Sequence, residues 1–400
     1  MSRLTGCAAQ ATVKGETRGH PLAAGARERG HDPHALQHRR TASDDHRRLG
    51  RRHRTQPASP QHPVRAGPRG RTGLHPCPAR HPRHRRPVFG GSATGDTSAS
   101  YTVPNLSYKQ DFTNNISAAI IIDTPFGLDL AYPGSSVAFG GTNATVDTAA
   151  ITGVLRYKMD SGFGAHAGLR YQTAEADLEL TGAAYGGLSG YSANFDSDSA
   201  VGWLAGISWE RPDIAARVSL TFNSAIEHDF DTTEAGLPVG NGESATAVKT
   251  PRSWNLEFQT GVAQDTLVFG SVRWVKWSEF RVNPVGFTSF VPDGIVQLED
   301  TTTFNLGVGR RFTENWSGLA SVLYETDSDG LVSPLAPYSG RKGITLGAVY
   351  TQGNVRVTGG ISYVKLGDTD TRPEVPPGVG AAQMRDNEAI AIGLRTAFTF

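Results

Sequence analysis

Arginine recurs at positions 156, 170, 217, 273, 356 and 395, each time in a run where small or polar residues alternate with apolar ones. A guanidinium grips a carboxylate through two parallel hydrogen bonds and keeps its charge at any physiological pH. On the same faces of these runs stand Leu204, Leu267, Phe269, Leu319 and Leu323. Apolar patches beside Arg156, Arg170, Arg217 and Arg273 suit an amphiphile, an oily body with an anionic head. The other reading is that these arginines pair with carboxylates of their own wall or of a plug. Covalent chemistry has little to work with. Beyond residue 87 the only histidines are His166 and His228, and cysteine is absent, so no His/Cys metal spacing arises. Neither a G-x-S-x-G elbow nor a phosphate-binding P-loop occurs. No enzyme, metal or cofactor is expected. A membrane-attached hydrolase would need His166 facing outward, and the parity of its strand turns it inward.

The elements that must position these residues read as strands. In the closing run 388–400, Ile390, Ile392, Leu394, Phe398 and Phe400 share one face, and Ala391, Gly393, Arg395, Ala397 and Thr399 the other. The runs VGWLAGISW, ARVSLTFN and SWNLEFQ split the same way. Alternation with period two marks strands with two unlike faces. The longest apolar run, AAIII at 118–122, is far short of the roughly 20 residues of a membrane helix.

A soluble sandwich shows this alternation too, but three features favour a transmembrane β-barrel. The segments are long. Aromatic residues such as Tyr157, Trp209, Trp254, Trp316 and Tyr350 cluster at strand ends, as at a membrane interface. Connections alternate between short turns (111–115, 159–162, 211–213, 263–265, 313–315, 351–354) and long stretches (127–142, 181–196, 231–247, 281–298, 327–340, 367–386). Short periplasmic turns and long outer loops are the barrel pattern. The fold class expected is all-β, an antiparallel transmembrane barrel with about 13 recognisable strands, beginning at 98, 115, 143, 162, 197, 214, 248, 266, 299, 316, 341, 354 and 387. A single-chain bacterial barrel needs an even number, so a further strand is expected before residue 98.

The residues before that point are a different polymer. Residues 1–87 hold 19 of the 39 Lys+Arg, 5 of the 38 Asp+Glu and 10 of the 12 His, and no aromatic residue. Such a segment cannot bury enough surface to offset its chain entropy, so 1–90 is expected to be disordered and 91–400 to be the barrel. A nucleic-acid or lipid-binding tail is one reading, but Lys14 is its single lysine. A targeting peptide would need an apolar run that is missing here. The favoured reading is a stretch translated in a wrong frame, and nucleic acid is not an expected partner.

Several stretches carry a resemblance. YTVPNLSY, TPRSWNLEFQTGVAQDTLVFGSVRWVKWSEF, ENWSGLASVLYETDS and NEAIAIGLRTAFTF resemble the FadL/TodX family, over about 98–400. The resemblance implies a 14-stranded, monomeric barrel in the outer membrane of a Gram-negative bacterium, with an N-terminal hatch not recognisable in this sequence. It implies passive diffusion of long-chain fatty acids or other hydrophobic compounds, with exit sideways into outer-membrane lipid. Phe398 and Phe400 resemble the signal read by the barrel-assembly machinery. In the family the strand corresponding to TPFGL (124–128) is kinked to open the wall, which makes Pro125 and Gly127 candidates for lateral opening, although a plain strand end reads equally well. Uptake is expected to start in an apolar groove between long loops such as 181–196 and 231–247. The alternative function is a structural or adhesin-like barrel with a sealed lumen.

Overall fold

A computed structural model describes residues 94–97, 101–328, 330–374 and 380–400. The basic segment 1–90 lies outside the described residues. The rest is an antiparallel meander in which each strand pairs with the next in the chain. Its first six strands are β1 (Asn105–Asp111), β2 (Ile116–Asp123), β3 (Asn143–Lys158), β4 (Phe163–Leu180), β5 (Tyr191–Arg211) and β6 (Ala216–Asn223). Then follow β7 (Ser253–Ala263), β8 (Thr266–Val275), β9 (Thr301–Arg311), β10 (Trp316–Glu325), β11 (Arg341–Gln352), β12 (Val355–Leu366) and β13 (Glu388–Phe398).

These match the segments that alternation predicts, with some boundaries moved. The first begins at Asn105 rather than 98, and β5 begins at Tyr191 rather than 197. The stretch 214–230 divides into β6 and the arm Ile226–Ala235, and the supposed loop 231–247 is mostly a hairpin of that arm with Gly242–Thr250. Strand β7 therefore starts at Ser253, not 248. A second outer hairpin, Thr369–Glu374 with Gly380–Met384, occupies the last long connection.

Apolar side chains point away from the wall's interior. Leu106, Ile122, Leu155, Leu169, Trp203, Leu306, Leu346 and Ile392 are all exposed, a band that would be untenable in water and is expected against lipid. Aromatic rings edge the band. Trp203, Phe222 and Trp254 form a chain across β5, β6 and β7, with centroids 5.2 and 4.9 Å apart, towards the long-loop end. Trp316 and Tyr350 pair at 5.0 Å at the short-turn end.

Two short turns share one chemistry. In Phe112-Thr-Asn-Asn115 and Phe312-Thr-Glu-Asn315 the threonine hydroxyl accepts the N–H groups of the asparagine and the residue after it. Each asparagine then donates its amide to the end of the next hairpin, Lys158 O or Thr351 O, at 2.7 Å. Side-chain hydrogen bonds of this kind replace the ladder bonds that a turn gives up.

The wall is interrupted near its outer end after β2. Strand β2 stops at Asp123, and a continuing segment, Gly127–Ala131, pairs with the outer half of β3. Asp123 faces Ala150 and Gly127 faces Asp147, so the broken side carries one residue more than its partner. That extra residue is a bulge, and it inverts the faces. Ser117 and Ala119 are buried on β2, whereas the even-numbered Leu130 is buried and Leu128 half-buried beyond the break. Pro125, which has no N–H for a ladder, lies inside the break, and Gly127 opens the new segment. TPFGL is thus an interruption rather than a strand end. Thr148 bridges it: its hydroxyl lies 3.0 Å from Phe126 N and 2.6 Å from Phe126 O.

Among the described residues β1 pairs with β2 alone and β13 with β12 alone. Both run from the long-loop end to the short-turn end, so these two edges are parallel to each other.

Candidate functional site

The outer halves of β3, β4 and β5 stand above the lipid band and carry a large apolar cluster. It includes Leu130, Tyr132, Phe139, Tyr191, Phe195 and Phe230, with Trp277, Phe280 and Phe287 from the connection 276–300. Burial pushes the phenols of Tyr132 and Tyr185 well above the ordinary tyrosine value. One buried carboxylate organises the cluster. Glu234, 2% exposed, accepts the backbone N–H groups of Gly286 and Phe287 at 2.8 Å, Tyr191 Oη–H at 2.9 Å and Ser244 Oγ–H at 3.3 Å. It ties the hairpin 226–250 to the short helix Val285–Thr288.

Between these elements is a cavity of about 80 Å³ with an almost wholly apolar lining. The interrupted strand contributes Phe126 and Leu128, and Thr148 lies beside them. Ala174 and Leu178 come from β4 and Phe195 from β5. The hairpin supplies His228, Phe230 and Val248, and the following connection Trp277, Phe280 and Val296. Arg252 and Glu279 clasp the rim, Arg252 Nε donating to Glu279 Oε2 at 2.9 Å, with Lys276 Nζ 3.4 Å from the same carboxylate. The cavity therefore abuts the break in the wall.

The groove expected between 181–196 and 231–247 is displaced. Phe195 is the one lining residue from those two stretches; Phe230 and Val248 flank the second.

The lumen residues singled out from parity are on the inward face, but none lines this cavity. Arg156 is buried and paired with Glu210 at 2.7 Å, with Lys158 3.1 Å from the same carboxylate. Arg170 donates to Thr152 Oγ1 at 2.9 Å, and Arg217 to Gln259 Oε1 at 3.0 Å. Arg273, half-buried, lies in register with Asn255 and Thr303. Leu204 packs with Ala119 and Val154, and Leu323 with Val364, Leu366 and Ala389. Leu267 is buried. The Phe269 ring covers Gly307 and the Leu319 side chain Gly347, leaving no room for a Cβ at Gly307. His166 faces inward with Nε2 3.0 Å from Thr221 Oγ1. Phe398 is exposed at the end of β13 and Phe400 beyond it.

Glu257 is an acid on the inward face of β7. Glu210 and Glu325, the latter 2.7 Å from Arg341, add two more, so the lumen's basic character is partly cancelled within the wall. Sequence reasoning also missed His228, Asp198 and Gln172. His228 Nδ1 is 2.9 Å from Asp198 Oδ2 and its Nε2 3.3 Å from Gln172 Nε2.

A family model described as outer membrane protein transport protein (OMPP1/FadL/TodX) matches residues 62–400. The chain belongs to the FadL/TodX family. The match starts 36 residues ahead of the expected position 98, inside the basic segment. Among solved structures, a Pseudomonas aeruginosa FadL homologue is similar with TM-score 0.60 at 15% identity, over 83% of this chain and 87% of that one. The Ralstonia pickettii toluene transporter TbuX follows with 0.56 at 12%, over 83% and 88%. The Pseudomonas putida toluene transporter TodX gives 0.53 at 12%, over 77% and 85%. At these identities the likeness is one of fold. No curated protein sequence matches. As a FadL/TodX protein the chain is a β-barrel of the Gram-negative outer membrane, in a class of transport channels for hydrophobic compounds.

Proposed function

We propose that this barrel takes up hydrophobic molecules, long-chain fatty acids or hydrocarbons, through the outer apolar cavity and releases them sideways at the break 124–126. The observation that carries this is the contact between the two: Phe126, within the break, is part of the cavity's lining. A solute there leaves water for apolar side chains, favourable by about 25 cal/mol per Å², and has a short way to lipid. Passage needs no chemistry and no energy input. The lumen arginines 156, 170 and 217 already hold partners in the wall, which makes them supports of the barrel more than ligands of a head group. Phe398 and Phe400 remain the proposed assembly signal, and a monomer the proposed state.

The test is uptake of oleate and of toluene by proteoliposomes carrying the wild-type barrel or Ala174→Trp, which fills the cavity from a buried wall position. Uptake of at least one probe is expected, with about tenfold loss in the variant, since such overpacking blocks the space. A wild-type barrel that passes neither probe is a structural barrel instead, and equal uptake by the variant removes the cavity from the route.

A further inference from the structure

Strand β5 changes partner along its length, and the ladder lapses in between. Its inner part pairs with β6 from Arg211↔Ala216 to Leu204↔Asn223. Ser224 adds one more link: its N–H donates to Trp203 O and its hydroxyl accepts Trp203 N–H, both at 2.9 Å. Pairing resumes only at Phe195↔Thr232, where β5 meets the arm Ile226–Ala235. Residues 196–202 and 225–231 form no backbone pairs with each other. Yet 198–202 stay paired with β4, and 226–231 with the second strand of the hairpin. Seven residues a side leave a slot roughly 20 Å long at the usual rise of a strand. Side chains close it from within. Ile226 is buried and covers Gly202, where a Cβ would meet Ile226 Cγ1 at 2.5 Å. His228 reaches across to β5, its Nδ1 2.9 Å from Asp198 Oδ2. Phe195, His228 and Phe230, all at the slot, also line the cavity. At the slot's inner end stands Trp203, first in the aromatic chain that edges the lipid band. Widening the slot breaks no ladder bond. It costs one imidazole–carboxylate contact and the packing of one isoleucine, which makes it a weak seam in an otherwise laddered wall.

We propose that this slot is a second opening in the wall, the entrance by which hydrophobic solutes reach the cavity from the membrane surface just beyond the lipid band. Asp198 and His228 are its latch and Ile226 its plug. A solute then enters the cavity between β5 and the arm and leaves it at the break 124–126. This rests on the cavity being the uptake site.

A reversible lock tests this. Ile226 Cβ is one C–C bond from Cγ1, so the Cβ atoms of Gly202→Cys and Ile226→Cys lie within about 4 Å of each other, inside the disulfide range. The full-length double variant is placed in proteoliposomes, and uptake of oleate and of toluene is measured with the pair oxidised and then reduced. For each probe that the reduced barrel passes, oxidation is expected to cut uptake about tenfold and reductant to restore it. Asp198→Ala removes the latch and is expected to raise uptake about threefold. If the cysteine pair does not assemble, or is inactive when reduced, Ala200→Trp takes its place. Ala200 faces inward within the slot, in register with Gln172, and is not among the residues lining the cavity, so its replacement fills the slot alone and is expected to cost about tenfold. Equal uptake by the oxidised and reduced barrels, or by Ala200→Trp and the wild type, overturns the slot as the entrance and leaves the cavity reading standing. Uptake by Asp198→Ala no faster than by the wild type overturns the latch. A wild-type barrel that passes neither probe fails the uptake reading itself.

Discussion

Thr148 holds together a place where the ladder is absent. Its hydroxyl is the partner of both backbone groups of Phe126. Thr148→Val keeps the shape and strands those groups, a loss of about 1–3 kcal/mol by the usual cost of an unsatisfied buried group. The expected readout is a lower unfolding midpoint in urea, with proteolysis beginning near 124–126; an unchanged midpoint would mean water serves Phe126 as well. Glu234 is a second such point. Glu234→Ala strands the N–H groups of Gly286 and Phe287 together with the Tyr191 hydroxyl. The connection 276–300 should then become protease-sensitive while the wall strands keep their circular dichroism. Neither role could be read from the sequence. A threonine on a strand and a glutamate in the acid-rich stretch 227–234 look like solvated residues, and only the folded register shows what they face.

The clasp over the cavity is an element-scale device, joining the corner before β7 to the turn after β8. Partial burial raises the pKa of the Glu279 carboxyl, but Arg252 and Lys276 overcome that and hold it below the ordinary carboxylate range. A lowered folded-state pKa means the clasp's contribution is complete above the unfolded value and is lost as pH falls through the folded one. Fluorescence of Trp277, which lies next to the clasp, should therefore hold steady across neutral pH and change only in acid. Glu279→Gln should abolish that acid step, and a step that persists belongs to another group. At this scale the sequence was most legible. Thirteen alternating runs became thirteen strands because one face meets lipid and the other does not, which forces period two. The hairpin 226–250 escaped because its inward residues include His228, Thr232 and Glu234, so both faces read as polar. The parity that placed Arg156, Arg217 and Leu267 on the inner face says nothing about height along the wall or about neighbours. The cavity draws on nine separate stretches of chain between Phe126 and Leu335, and no local pattern gathers them.

For the whole molecule, the two edge strands set the main requirement. Strands β1 and β13 are parallel, and an antiparallel wall closes between them only through one further strand. We propose that the basic residues 1–90 do not supply it. A chain begun at residue 91 should then match the full-length protein in circular dichroism and in the heat-dependent gel shift of outer-membrane barrels. Loss of that shift on truncation would show that the segment, where the family match already begins at 62, carries the closing strand after all.

The single extra residue at the break bears on how this gene can change. Because it exchanges the faces of everything up to Ala131, deleting any one of residues 124–126 would pull Leu128 and Leu130 out of the apolar cluster to the outer face and turn Asp129 inward. Replacing one of them alters a side chain, whereas removing one rewrites five positions at once. Variation among natural versions of this stretch should therefore be rich in substitutions and poor in insertions and deletions, a constraint on length rather than on letters.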